Sequence, residues 1–537
     1  MFVQVTTSRR QGGKTYVSYL VRESFRTPEG PRSRTVCNIT DLPAATRDLI
    51  TASLKGQSFA PVTDVKLEQA LDYGGLAVLN DAWNRFELDR LLAPMGSWRQ
   101  RGLLKAMVYA RLLFPCAKLS LKVQAQGTWL AQACGLPAGE PFGEDDLYEA
   151  MDRMNGQWVG VEQGLYRKSF PAGVTLALYD LTSTYFEGRG PRGLARYGHS
   201  RDHRGDRPQI VLAVATDTEG VPLHVSVLRG NRADNKTLEG LRQTLRRRFG
   251  IVEATFVFDG GMSSRVNLEA MDQAHFKYVT RLSTATLQSL LETLPQESQL
   301  ELGDRQKVLD ITHQGKRYII AGGAWRRQRD QERRAARLQK AEKELTRLAA
   351  VERKKVNAQK LASQVGRALQ RLKAHKYFTY EVDAQGHLKW ARKSQLIEQE
   401  RQIDGWFLLH TNHLASQCDG RQTLAHYKNL LQVEEAFCQL KSYLEVRPVF
   451  HWRPDRVINH VRLCYLAYWL SARLGQQWRD QGEKEEVPRL LRKLQTIRAG
   501  TVRLGDKTTS KVMTHIPKDL NSQLSKLNLT HLFAAPP

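Results

Sequence analysis

Residues Val174–Asp180 read VTLALYD, Gln209–Asp217 read QIVLAVATD and Val221–Gly230 read VPLHVSVLRG. The first is the short apolar run of a buried strand, and the other two are separated only by Thr218-Glu219-Gly220, a hairpin signal. A helical pattern over Lys236–Phe249 follows, then the strand EATFVFD ending at Asp259, a glycine turn, a helix over Ser263–Gln273, and the strand FKYVTRL ending at Leu282. Three strands, helix, strand, helix, strand is the order of a mixed sheet flanked by helices, so the expected fold class is α/β.

Outward from this core, the first fifty residues alternate polar and apolar in short runs broken by Gly12-Gly13 and Pro28-Glu29-Gly30-Pro31, which predicts a small antiparallel β element over 1–45. Residues 46–170 turn helical, with Leu71, Leu76, Leu79, Leu103, Leu104, Met107 and Val108 at spacings of three, four and one. They are expected to be a helical DNA-binding domain. Downstream of the first core segment, 171–290, Arg326–Lys376 holds 17 Lys/Arg against five Asp/Glu, a local +12, with leucines near helical spacing and a break around Asn357. This predicts an insertion over 291–405 carrying a basic helical hairpin that tracks phosphates. The strand GWFLLHTN and two long helices, about Leu424–Leu444 and Asp455–Trp478, make a second core segment over 406–480. The tail, 481–537, is basic and is expected to contact DNA or a second copy.

The chain has 537 residues, 41% hydrophobic, with 81 Lys+Arg against 55 Asp+Glu, a formal +26. That much apolar material builds real cores and excludes wholesale disorder. No stretch approaches the roughly 20 apolar residues of a spanning helix, and the N-terminus lacks a signal-peptide pattern. The expectation is a cytoplasmic, nucleoid-associated protein with no membrane partner. Six dispersed cysteines give neither a disulfide framework nor a zinc site. The surplus charge points to a polyanion, and nucleic acid gains affinity from every counterion released.

Asp180 and Asp259 each close an apolar strand, where ligands of mixed sheets sit. If the strands are adjacent, the two carboxylates repel until a proton or divalent cation compensates. Oxygen donors without His or Cys select Mg²⁺, or Mn²⁺ in its place, over zinc. The bland alternative for Asp259 is capping the helix after GGMSS.

Four strings, YDLTSTYFEG (179–188), YGHSRDHRGDRPQIVLAVATDTEGVPLHVSVLRGN (197–231), FVFDGGMSS (256–264) and YKNLLQVEEAFCQLKSYLEVRPVFHW (427–452), together resemble the DDE transposases of bacterial insertion sequences. The last is similar to the Tyr-Arg-Glu-Lys signature of the insertion-sequence-four-like branch, aligning Tyr427, Glu434 and Lys441. The signature's arginine position is Leu430, and its phosphate contact is expected to be lost or moved to Lys428.

The resemblance implies a ribonuclease-H-like domain with Asp180, Asp259 and Glu434 as catalytic, metal-holding carboxylates for two Mg²⁺ ions. Glu435 is the rival third carboxylate. On one continuous helix Tyr427, Glu434 and Lys441 share a face, whereas Glu435 is turned by about 100°. Tyr427, Lys441 and Lys428 are expected to contact DNA, and Trp406 to stack on a flipped base or else to lie in the core of its strand. The activity implied is Mg-dependent cleavage at element ends and 3′-hydroxyl transfer into target DNA. The implied partners are double-stranded DNA with terminal inverted repeats, target DNA, and a second copy in a homodimer on DNA. The competing functions are a structure-specific nuclease and a catalytically silent DNA-binding repressor or architectural protein.

Overall fold

The computed structural model describes residues 1–9, 15–57, 65–137, 142–294, 308–350, 357–504 and 508–537. Gly12-Gly13, the expected first break, lies outside them. The chain divides into two compact units, one of Met1–Gly75, Gln126–Trp129 and Lys493–Pro537, the other of Leu76–Ala125 and Leu130–Arg492.

In the first unit, β1 (Phe2–Arg9), β2 (Thr15–Thr27) and β3 (Gly30–Asn38) form an antiparallel sheet in chain order. Strand β4 (Val65–Asp72) pairs antiparallel with Arg498–Leu504, which pairs in turn with Thr508–Met513. Helical spacing around Leu71 predicts a helix there; the side chain instead belongs to a strand whose partner comes from the far end of the chain. The basic tail is therefore folded. Tyr73 packs edge-on against Trp129 at 5.0 Å and Phe533 at 5.9 Å, and its hydroxyl donates to the Leu532 carbonyl at 2.8 Å.

The second unit holds an eight-stranded mixed sheet with helices packed on it. Its strands are β5 (Leu176–Tyr185), β6 (Gln209–Thr216), β7 (Pro222–Arg229), β8 (Thr255–Phe258), β9 (Lys277–Arg281), β10 (Leu309–His313), β11 (Lys316–Gly322) and β14 (Trp406–Thr411), ordered β10-β11-β14-β9-β8-β5-β6-β7. The β5–β8 and β8–β9 pairs are parallel and the others antiparallel. One face is a single apolar core: Ala177, Tyr179 and Leu181 of β5 meet Phe256 and Phe258 of β8 and the leucines of the helix Leu238–Phe249. Because side chains alternate along a strand, Asp180 lies on the other face of the sheet.

The stretch between β9 and β14 is part of this sheet as well as an excursion from it. Strands β10 and β11 extend the sheet, and β14 returns between β11 and β9. Between them the basic helices Ala324–Ala349 and Ala358–Arg371 bury Leu338, Leu345 and Leu348 against Leu361, Val365 and Leu369, leaving most of their charge outward. Asn357 caps the second helix by accepting from the Lys360 amide at 3.0 Å. The hairpin β12 (Phe378–Val382) and β13 (Leu388–Arg392) completes this small core. No helix among the described residues is long and apolar enough to cross a membrane.

Candidate active site

Tyr179 of β5 sits opposite Phe258 of β8 in the parallel ladder, so Asp180 and Asp259 follow side by side on strands spaced about 4.8 Å apart. Both positions fall on the sheet face opposite the apolar core. Asp259 begins a single 3-10 turn without accepting a capping hydrogen bond; Ser264 caps the next helix instead, accepting from the Asn267 amide at 3.4 Å. The capping role that competes for Asp259 is thus filled by another residue.

The third acid arrives on a helix that is not continuous. Gly420–Lys428 and Leu431–Cys438 are separate helices, joined by i to i+3 bonds from Leu430 to Tyr427, Gln432 to Asn429 and Val433 to Leu430. A π-helical turn, Gln439–Tyr443, follows, closed by the Leu444 amide on the Gln439 carbonyl at 2.9 Å. The tight segment overwinds and the wide turn underwinds, so a uniform 100° per residue does not describe Tyr427, Glu434 and Lys441. Leu430, Val433, Phe437, Leu440 and Leu444, spaced by three and four residues, are all buried and form the apolar side of this segment.

The helix Leu431–Cys438 packs on β5 and β6. The Asp180 carboxyl is pushed up to about 7, first by burial, then by the negative charges of Asp259 and Glu434; the Leu181 amide and Arg201 oppose the rise. All three acids therefore act on one neighbourhood. Glu435 points elsewhere, accepting from Gln439 Nε2 at 3.0 Å and acting on the buried Tyr468 hydroxyl. Among the described residues no three His, Cys, Asp or Glu side chains already stand closed around a cation position. The donor set nevertheless fits a divalent ion, since Arg201 only partly offsets the negative charge of a half-buried carboxyl beside two others. Asp259 and Glu434 are exposed, whereas Asp180 is half-buried.

The remaining site expectations fare differently. Lys441 is no free helix lysine: its Nζ donates to Asp202 Oδ1 at 2.9 Å, its side chain is 12% exposed, and Arg447 holds the other Asp202 oxygen at 3.1 Å. Burial pushes the Lys441 ammonium down, opposed by Asp202. Tyr427 lies by the second aspartate; burial, then the Asp259 charge, raises its hydroxyl, while Arg281 and Arg326 oppose. Lys428 is exposed at its helix end. Trp406 takes the second of its two expected places, the core of its strand: it is 7% exposed among Leu287, Leu290, Ile320 and Leu408, its ring lying against Gly322. A base cannot stack on it in this conformation.

Sequence reasoning missed Asp202, Arg281 and Arg326. Arg281 ends β9 just as Asp259 follows β8, so the strand-end argument that singles out the aspartates applies to it equally. Asp202 gives no such signal within a loop rich in charges.

The family described as transposase DDE domain matches residues 178–470, more than half the chain and the whole span from β5 to the long helix Pro454–Asp480. The chain belongs to this family. It is accordingly a DDE transposase enzyme. Among solved structures, a cryo-EM piggyBac transposase synaptic complex with hairpin DNA aligns over 79% of this chain and 76% of that one, at 8% identity and a TM-score of 0.36. No curated protein matches.

Proposed function

We propose that this DDE transposase belongs to the insertion-sequence-four-like branch of bacterial elements, with a ribonuclease-H-like core, and that it cuts DNA at the element's terminal inverted repeats and joins the freed 3′-hydroxyl ends to target DNA. The observation that carries the reading is the electrical convergence of Asp259 and Glu434 on the half-buried Asp180. These three would hold two divalent ions, Mg²⁺ by donor chemistry with Mn²⁺ as a substitute. When bound, such ions activate the attacking oxygen and stabilise the departing one.

The protein's own side chains position the DNA and balance charge. Tyr427, fixed beside Asp259, defines one wall of the site. Lys441 and Arg447, already in ion pairs with Asp202, are pre-placed cations; a DNA phosphate that displaces Asp202 would take over these pairs without new ordering of the side chains. In-line phosphoryl transfer asks mainly for such positioning. The exposed basic helices supply grip on flanking duplex, Lys428 adds a phosphate contact, and a homodimer on DNA holds two ends together. The segments 1–45 and 46–170 would recognise the ends, and 481–537 would contact DNA or the second copy. The protein works at the nucleoid in the cytoplasm.

The test is a plasmid carrying the gene with its own flanking DNA, incubated with the full chain and Mg²⁺. Asp180→Asn, Asp259→Asn and Glu434→Gln should each lower end cleavage and strand joining by about a thousandfold or more, while binding to the same DNA is retained. Cleavage without any joined product from precut 3′-hydroxyl ends would make the protein a nuclease instead.

A further inference from the structure

Leu430 occupies the arginine position of the signature, and the structure explains why an arginine there would be of no use. Position 430 shares the apolar side of its segment with the buried Val433 and Phe437, and Leu430 is 8% exposed. A positive charge for the DNA backbone has to come from elsewhere. Two arginines that nothing else claims stand at the neighbouring strand end. Phe258 pairs with Thr280 in the parallel β8–β9 ladder, so Arg281 follows directly beside Asp259. Arg326 comes from the opening turn of the basic helix Ala324–Ala349. Both guanidinium groups lie over the ring of Phe407, Arg326 at 4.7 Å and Arg281 at 5.9 Å from its centroid. Tyr427 packs against the same ring at 6.0 Å, and Arg281 acts on its hydroxyl.

Their partners set them apart from other arginines nearby. Arg317 and Arg334 are each closed by a carboxylate, Asp310 and Asp404. Among the described residues neither Arg281 nor Arg326 is in a salt bridge, although Arg326 is half-buried. Arg281 repels Arg326, and the attraction of Asp330 is only partial relief; one Asp330 oxygen is already taken by the Gly405 amide at 3.2 Å. Two arginines stacked on one aromatic ring, with no carboxylate partner among the described residues, present the planar donor geometry that phosphate oxygens match. Stacking fixes them in advance, so little side-chain freedom is lost on binding.

We propose that Arg281 and Arg326 form a two-arginine clamp for a backbone phosphodiester of the DNA strand beside the catalytic carboxylates, replacing the contact that Leu430 cannot make. The clamp rests on the proposed function of that site. It also gives the basic insertion a direct part in the reaction, because Arg326 belongs to the insertion and Arg281 to the central sheet. Arg329, stacked on the exposed Trp325 at 5.0 Å, lies one turn further along the same helix and continues the basic surface outward.

The experiment couples a charge deletion in DNA to a charge deletion in protein. Synthetic duplexes copied from the element's end carry one neutral methylphosphonate at successive positions around the cleaved bond, and cleavage rates are measured with the full chain in Mg²⁺. With the parent, one position beside the cleaved bond should slow cleavage by about tenfold. In Arg281→Gln or Arg326→Gln the unmodified duplex is slowed by a similar factor, and the methylphosphonate at that position then costs nothing further, the non-additivity of a shared contact. Arg281→Lys and Arg326→Lys, which keep the charge but lose the fork and most of the stacking, guard against misfolding and should restore part of the rate. If every methylphosphonate effect persists undiminished in both glutamine variants while Asp180→Asn abolishes cleavage, the clamp is wrong and the active-site assignment stands. If Asp180→Asn cuts as fast as the parent, the active-site assignment falls and the clamp falls with it.

Discussion

Asp404→Ala should loosen the basic helix from the sheet, and the size of the effect follows from burial. Arg334, in the middle of the helix Ala324–Ala349, and Asp404, two residues before β14, are both buried and form a two-pronged pair, with Arg334 Nη1 donating to Oδ1 at 2.7 Å and Nη2 to Oδ2. Removing the aspartate leaves a guanidinium in the interior without a counter-charge. Breaking one side of such a pair costs about 3–5 kcal/mol, whereas replacing both sides by apolar groups of similar volume is close to neutral. At about 3 kcal/mol, the opening equilibrium of this docking shifts by more than a hundredfold. Hydrogen exchange reads it locally: amides of Ala324–Ala349 and of Trp406–Thr411 should exchange faster by roughly that factor in Asp404→Ala, with β5 and β6 unaffected. The double variant Arg334→Met/Asp404→Leu should recover most of the protection. Unchanged exchange in Asp404→Ala, or a double variant as labile as the single one, would refute the claim that this pair docks the helix.

Further outcomes follow from the same structure. Trp406→Ala should destabilise the second unit by about 3–5 kcal/mol in denaturant titration, whereas Trp325→Ala, at a residue 71% exposed, should stay within about 0.5 kcal/mol; equal effects would remove Trp406 from the core. Lys118 is buried with its ammonium on His460 Nδ1 at 2.8 Å, and burial, reinforced by Arg111, pushes it down to about 7. The unfolded chain then holds the proton more tightly than the folded one, so stability should rise with pH above about 7 by at most about 1.4 kcal/mol per unit. In Lys118→Met the rise should vanish, and a slope shared by both proteins would show that Lys118 is not its source. The buried Glu162 is driven up by burial, but His224 at 2.8 Å and Arg248 at 2.9 Å outweigh this and hold it below the ordinary glutamate value. Its contribution is full above about pH 4.3 and is lost as pH falls through the folded value. Glu162→Gln should therefore flatten acid unfolding monitored by circular dichroism; an unchanged acid transition would exclude the pair.

Strands β5 to β9 and β14 of the large sheet were legible in the sequence because they are short apolar runs closed by polar turns, whereas β10, which has no buried residue, and β11 were not. Strand-end position then drew attention to Asp180 and Asp259, since a carboxylate following a buried strand has few structural reasons to be there. Other features were hidden for reasons equally physical. The strand around Leu71 depends on a partner more than four hundred residues away, which no local period records. The break at Leu430 and the π turn after Cys438 were hidden because Leu430, Val433, Phe437, Leu440 and Leu444 keep the three-and-four spacing of an unbroken helix. Trp406 shows the limit of aromatic position as a guide: the strand GWFLLHTN alternates its faces, and only the arrival of Leu287 and Leu290 from another helix makes the indole's face interior. Lys441 was legible as a cation and not as half of an ion pair, because Asp202 lies far away in the chain.

The central claim is that Asp180, Asp259 and Glu434 make one divalent-cation site. Mn²⁺ binding to the full chain, followed by electron paramagnetic resonance without DNA and again with an uncleavable duplex, measures it directly. The account predicts binding by the parent and by Glu435→Gln, and its loss in Asp180→Asn, Asp259→Asn and Glu434→Gln. Equal Mn²⁺ binding by the parent and all three of those variants would contradict it.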